Sequence, residues 1–197
     1  MNPWKHIDET GYLKLDLRAH EILKGFPIHD VWQLDLPGGG EGRVVADIQS
    51  LFLKSSRNVI VDFLFAFRMF LGKIFGWDNE IESLEGSLQQ RITEDDRLLS
   101  SVETGTKQGA FTVLYVYEKE AVSEIRNKTV HAALVWVLIA MDKGYRMLWA
   151  IHVKPVGKIT AFYMSLITPF RLWIVYPSIL KGLYKAWCKK YKLETAK

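Results

Sequence analysis

Glu124, Arg126, Asn127 and His131 are the densest group in this chain able to move a proton and orient a ligand. Side chains alternate between faces along an extended segment, so Glu124 and Arg126 share one face. Asn127 and His131 share the other if the strand runs unbroken, whereas a turn at Asn127-Lys128, where Asn tolerates positive φ, reassigns them. Pointed into a cavity, His131 is a candidate acid or base, with Arg126 and Glu124 orienting a polar ligand. Facing adjacent strands, the same groups make a structural network, because buried polar groups need partners.

Two arginines pose a related question. Arg171 sits among Thr168, Phe170, Trp173 and Tyr176, and Arg68 among Phe67, Met69 and Phe70. A guanidinium on an apolar face reaches solvent, pairs with an acid (Glu118 or Glu124 for Arg171), or holds a ligand carboxylate or phosphate. Other chemistry has little support. The glycine run Pro37–Gly42 lies between a strand and a helix, but a G-x-G-x-x-G reading from Gly38 meets Arg43 at its last position, and no Gly-Lys-Ser/Thr follows. Amides there, beside Arg43, offer an anion site; a flexible connection is the simpler reading. The histidines at 6, 20, 29, 131 and 152 form no HExxH pattern and no close pair, so no metal is expected. A Gly-x-Ser-x-Gly motif is absent, and Cys188, the single cysteine, excludes an internal disulfide. No cofactor is expected.

The elements that must position these groups begin with size. A chain of 197 residues, 49% hydrophobic and 24% charged, suits one domain with a substantial core. Its net charge is +4, and six Lys against one Glu from Lys181 onward place the excess in the C-terminal segment. That balance excludes a general nucleic-acid surface. The longest charge-free apolar run, Thr129 to Met141, is too short for a spanning helix, and Met1 to Tyr12 carries no signal-like apolar region. A soluble cytoplasmic protein is expected.

Periodicity predicts a short helix over 17–23, a strand over His29–Leu36, and a helix from Arg43 through Val44, Val45, Ile48, Leu51 and Phe52. A second helix follows over Val59–Phe75, closed by Gly76. Thr93 caps a short helix over Glu94–Ser101, and 105–109 reads as a loop. Strands are predicted over Phe111–Glu118, Ala121–Arg126, Thr129–Met141 and Tyr145–Val153, the last two joined by a hairpin at Asp142-Lys143-Gly144. From Gly157 a long helix carries one polar seam, Ser165, Thr168, Arg171, Ser178, Lys181, Lys185, Lys189 and Lys192. Pro169 and Pro177 predict a kink or break in it.

This order gives an α+β helix-grip arrangement: a curved antiparallel sheet around a long C-terminal helix, with two helices after the first strand. A flat α+β sandwich without a cavity has the same element order. The expected division is an N-terminal extension over 1–28, the domain over 29–180 and a basic helix end over 181–197.

Several blocks resemble a bacterial family of proteins with no assigned function. They are Asp30–Gly39, Phe67-Arg68 with Phe75–Trp77, Leu114–Tyr117, Glu124–His131, and Tyr163–Arg171 with Val175–Pro177. Members occur alone or behind an NAD-dependent-epimerase-like domain. The resemblance implies kinship with the helix-grip superfamily that includes START-like lipid-transfer domains and polyketide cyclases, and it carries no catalytic residues over.

The leading expectation is a domain binding a small hydrophobic or amphipathic ligand between sheet and C-terminal helix. Asn127, Trp149, Tyr163, Phe170, Arg171 and Trp173 are the candidate lining. The second is a cyclase- or dehydratase-type enzyme using His131 with Glu124 or Arg126. The third is a module that meets a membrane surface or a second copy of the chain through Trp187 and the C-terminal lysines.

Overall fold

Segments rich in β-branched and aromatic residues pair into one antiparallel sheet. The computed structural model describes residues 2–55, 86–126, 131–154, 168–169 and 171–193. The strands are β1 (Trp4–Ile7), β2 (Ile28–Pro37), β3 (Lys107–Gln108), β4 (Phe111–Val116), β5 (Glu120–Arg126), β6 (His131–Met141) and β7 (Gly144–Lys154). Their spatial order is β1-β2-β7-β6-β5-β4-β3. The fold is α+β, a curved antiparallel sheet that does not close into a barrel, with a helix at the C-terminal end. The strand expected first in the chain is the second, because Trp4–Ile7 pairs with β2 ahead of it.

Alternation then sorts side chains onto two faces. The first carries Trp32, Leu34, Leu36, Leu134, Trp136, Leu138, Met147, Trp149 and Ile151 and packs on α3 (Val45–Ser55) and the C-terminal helix. The second carries Val31, Leu114, Tyr115, Val122, Ala133, Val135, Val137, Leu148 and Ala150. A bulge between Val113 and Tyr115 places Leu114 and Tyr115 together on that second face. It is covered by α1 (Thr10–Leu13), α2 (Arg18–Ile22) and a 3-10 turn (Leu88–Arg91), with Tyr12, Ala19, Ile22 and Leu88 buried. The segment read as an N-terminal extension therefore supplies a strand and part of a core. Between that turn and β3 lies α4 (Glu94–Leu99), where Thr93 and Asp96 form a reciprocal capping box.

The C-terminal helix begins as a π-turn over Arg171–Val175 and continues as α5 (Tyr176–Lys190), with Pro177 in its first turn. Pro177 has no N–H to donate to Trp173, so the wider hydrogen-bond spacing falls where the regular ladder fails. Leu180, Leu183, Trp187 and Cys188 are fully buried, each apolar side chain contributing about 2 kcal/mol. Lys181, Lys185 and Lys189 stay in solvent as the seam predicts. The π-turn adds about one residue per turn relative to an α-helix and so shifts the register ahead of it. Arg171 leaves the solvated seam and is buried, while Trp173, expected to face the sheet, is 78% exposed.

The glycine run is a docking seat. Gly39 has φ +93°, and a Cβ on it would lie 2.4 Å from Cζ2 of Trp187. The Trp187 indole Nε1 donates to the Pro37 carbonyl at 2.9 Å. Tyr145 donates its hydroxyl to the Gly40 carbonyl at 2.8 Å. At the hairpin, Gly144 leaves no room for a side chain, since a Cβ would meet the Leu36 carbonyl at 2.2 Å. The helix expected over 59–75, with Arg68, lies outside the described residues, as do 155–167 of the expected long helix.

Candidate functional site

Three indoles cross the first face in one row. Trp32 on β2 stands opposite Trp149 on β7, which stands opposite Trp136 on β6. His6 on β1 and Ala121 on β5 extend the row. Cross-strand partners on one face are in side-chain contact range, so this register itself builds an aromatic floor. Trp136 and Trp149 stack at 5.2 Å with an interplanar angle of 20°. Tyr176 of α5 meets Trp149 at 5.0 Å and Trp32 at 5.8 Å, both edge to face. Phe52 of α3 meets Trp136 at 4.9 Å.

The floor is not satisfied. The indole Nε1 atoms of Trp32 and Trp149 are buried and have no hydrogen-bond partner among the described residues. A buried donor left unpaired costs on the order of 1–3 kcal/mol, and paired donors are the rule in native proteins. Two such donors on facing strands, beside one tyrosine, make the strongest chemical irregularity on this face.

A charged cluster closes one end. Asp30 lies one alternation step from Trp32 on the same face, and Arg171 places Nη2 3.1 Å from its Oδ2. The guanidinium also donates to His29 Nε2 and sits 5.5 Å from the Tyr176 ring centre. His6 Nε2 is 3.5 Å from the other Asp30 oxygen. Loss of solvent and then the adjacent guanidinium hold His29 below its ordinary pKa. The acid that neutralises Arg171 is thus Asp30, in place of the expected Glu118 or Glu124. At the other end, Gln49, Phe52, Gln108, Phe111, Ser123, Leu134 and Trp136 line a recess of about 20 Å³, room for one water.

The group centred on Glu124 lies on the opposite face. His131 Nε2 donates to Glu124 Oε1 at 2.6 Å, the Leu88 amide donates to the same oxygen at 3.0 Å, and Ser87 Oγ donates to Oε2 at 2.7 Å. Burial raises the Glu124 pKa, but the bonds from His131, Leu88 and Ser87 outweigh it and the net direction is downward. The Phe26 ring packs edge-on to His131 at 4.7 Å. Arg126 pairs in register with His131 at the end of this strand pair. This carboxylate ties the 3-10 turn to the sheet, and both its oxygens are engaged.

Further along the second face, Asp96 takes two bonds from Arg18 (2.9 and 3.0 Å) and one from the Tyr117 hydroxyl at 2.7 Å. Burial opposes ionisation of Asp96, yet Arg18 and the capping-box donors hold its pKa well below the carboxylate range. Tyr12 donates to His152 Nε2 at 3.1 Å, and His152 Nδ1 donates to the Phe26 carbonyl at 2.9 Å.

Of the sequence candidates, Trp149 lies on the first face and Arg171 at its end beside Asp30 and Tyr176, Glu124, Arg126 and His131 lie on the second, and Trp173 lies in solvent. Asn127, Tyr163 and Phe170 lie outside the described residues. Sequence reasoning missed Trp32, Trp136, Asp30 and Tyr176. The alternation Asp30, Trp32, Leu34, Leu36 was the available signal, because it sets an acid on an apolar face. No three His, Cys, Asp or Glu side chains gather as metal ligands among the described residues. None of the described helices is long and apolar enough to cross a membrane.

Comparison with known proteins bears on this site only through kinship. The model of a protein family of unknown function, DUF2867, matches residues 22–178. The chain belongs to the DUF2867 family. The match takes in the tryptophan row, Asp30, Arg171 and the Glu124 network. No curated protein matches this DUF2867 chain. Among solved structures, TTHA0849 from Thermus thermophilus is similar at 15% identity and a TM-score of 0.28, over 55% of this chain and 85% of that one. At that level it carries no argument about fold or function.

Proposed function

We propose that this DUF2867 protein binds a small hydrophobic or amphipathic molecule on the first face of its sheet, between the tryptophan row and the C-terminal helix. The observation that carries the reading is the Trp32–Trp149–Trp136 floor, whose rings present large apolar area under Tyr176 while two of its donors stay unpaired. Ligand sites are mostly apolar and aromatic with a few placed polar groups, and this face has that composition. The resemblance to helix-grip domains motivates the same choice. An enzyme built on Glu124 and His131 has less support, since their network sits across the sheet and its carboxylate is fully engaged. Surface attachment through Trp187 has less support too, because that indole is fully buried.

Native mass spectrometry of freshly purified protein, with titration of an apolar fluorophore, tests the reading. The expected result is a retained mass or a saturable signal that Trp149→Ala weakens at least tenfold and Trp173→Ala leaves unchanged. Absence of both a retained mass and a saturable signal would overturn it.

A further inference from the structure

We infer that the ligand is an uncharged, flat molecule whose carbonyl-type oxygen accepts the indole N–H groups of Trp32 and Trp149. This rests on the ligand-binding reading above and specifies its chemistry. Trp32 and Trp149 are 6% and 3% exposed, so bulk solvent does not reach their donors. An indole nitrogen only donates, so whatever completes the site must accept. Trp32 and Trp149 are paired across β2 and β7 and both rings adjoin Tyr176, at 5.8 and 5.0 Å, so the two donors belong to one region of the floor. A carbonyl oxygen has two lone pairs and can take both bonds.

Charge narrows the class. The cation beside the row, Arg171, is held by Asp30 at 3.1 Å and donates to His29. A ligand carboxylate would have to displace Asp30 or remain unneutralised in a buried site, and either is costly. Fatty-acid-like anions are therefore excluded in favour of neutral acceptors. Flatness follows from the surroundings, where Trp32, Trp136, Trp149, Tyr176 and Phe52 are all aromatic and favour planar neighbours.

Three probes of one shape test this: 9-fluorenone, fluorene and fluorene-9-carboxylate, titrated against the full chain by calorimetry. Fluorenone should bind about tenfold more tightly than fluorene, the expectation for one to two net hydrogen bonds, and the carboxylate more weakly than fluorenone. Its bound carbonyl stretch should move to lower wavenumber than in an aprotic solvent. Trp32→Phe and Trp149→Phe should each narrow the fluorenone-to-fluorene ratio, and the double variant should bring it near one. The carbonyl band of the unmodified protein decides the matter even if a variant fails to fold. A ratio near one with an unshifted band, or tightest binding by the carboxylate, overturns the inference while fluorene binding upholds the apolar site. Failure of all three probes to bind removes both.

Discussion

Replacing Gly39 with alanine separates a glycine required by its backbone from one required by its neighbour. At φ +93° any L side chain is strained, which costs about 1–2 kcal/mol. The added Cβ would lie 2.4 Å from Trp187 Cζ2 and 3.1 Å from Cη2. That ring is fully buried and fixed by its 2.9 Å bond to the Pro37 carbonyl, so it moves only by losing the bond. Overpacking of this kind costs about 1–3 kcal/mol, giving about 2–5 kcal/mol together. In a chain of this size 1 kcal/mol shifts the melting point by about 2–4 °C, so Gly39→Ala should melt about 4–20 °C lower. Gly42→Ala is the control, because φ is +70° there but nothing lies within 4 Å of the added carbon. It should lose about 2–8 °C. Circular dichroism melts of both variants, alone and combined with Trp187→Leu, complete the comparison, and the gap between them should close once the indole is gone. Equal melting points for the two variants with Trp187 intact would refute the docking argument.

Two further outcomes concern the second face. Glu124 has its pKa depressed in the folded state, so its contribution is complete above about pH 4.5 and is lost as pH falls through the folded value. Glu124→Gln should cost about 1–3 kcal/mol at pH 7 and flatten the acid limb of stability measured by urea midpoints; an unchanged limb would show that this network is not its source. Asp96→Asn removes the anion shared by Arg18, Tyr117 and the α4 cap, and should cost about 2 kcal/mol, tempered by the partial exposure of Arg18. A guanidinium chloride midpoint within error of the parent would contradict it.

Much of the sheet was legible because its strands obey local rules. The run Phe111–Val116 and the hairpin at Asp142-Lys143 were readable from β-branched content and turn residues, and α4 from Thr93 and its following acids. The four-residue β1 and two-residue β3 fall below the length at which alternation can be recognised. On the second face α2 was readable as the short helix over 17–23, while α1, four residues long, was hidden for a similar reason. At the site, Arg171 was legible as a charge on an apolar stretch, but neither its burial nor its partner was, because several acids competed and only tertiary structure chooses Asp30. Trp173 was placed on the wrong side because a π-turn leaves no mark in residue spacing. The glycine run was unreadable as a seat because its occupant, Trp187, is 150 residues from Pro37.

That separation bears on how the chain is made. Strand β2 follows β1 closely in the chain and pairs with it, yet its other edge waits for β7, more than a hundred residues later. Trp187 comes later still. Throughout synthesis of the intervening residues, a ten-residue edge bearing Trp32 and Leu34 stands open to other nascent chains. That edge needs cover, such as a holdase supplies, until β7 pairs with it, and the closing helix can seal this face only after β7 is made.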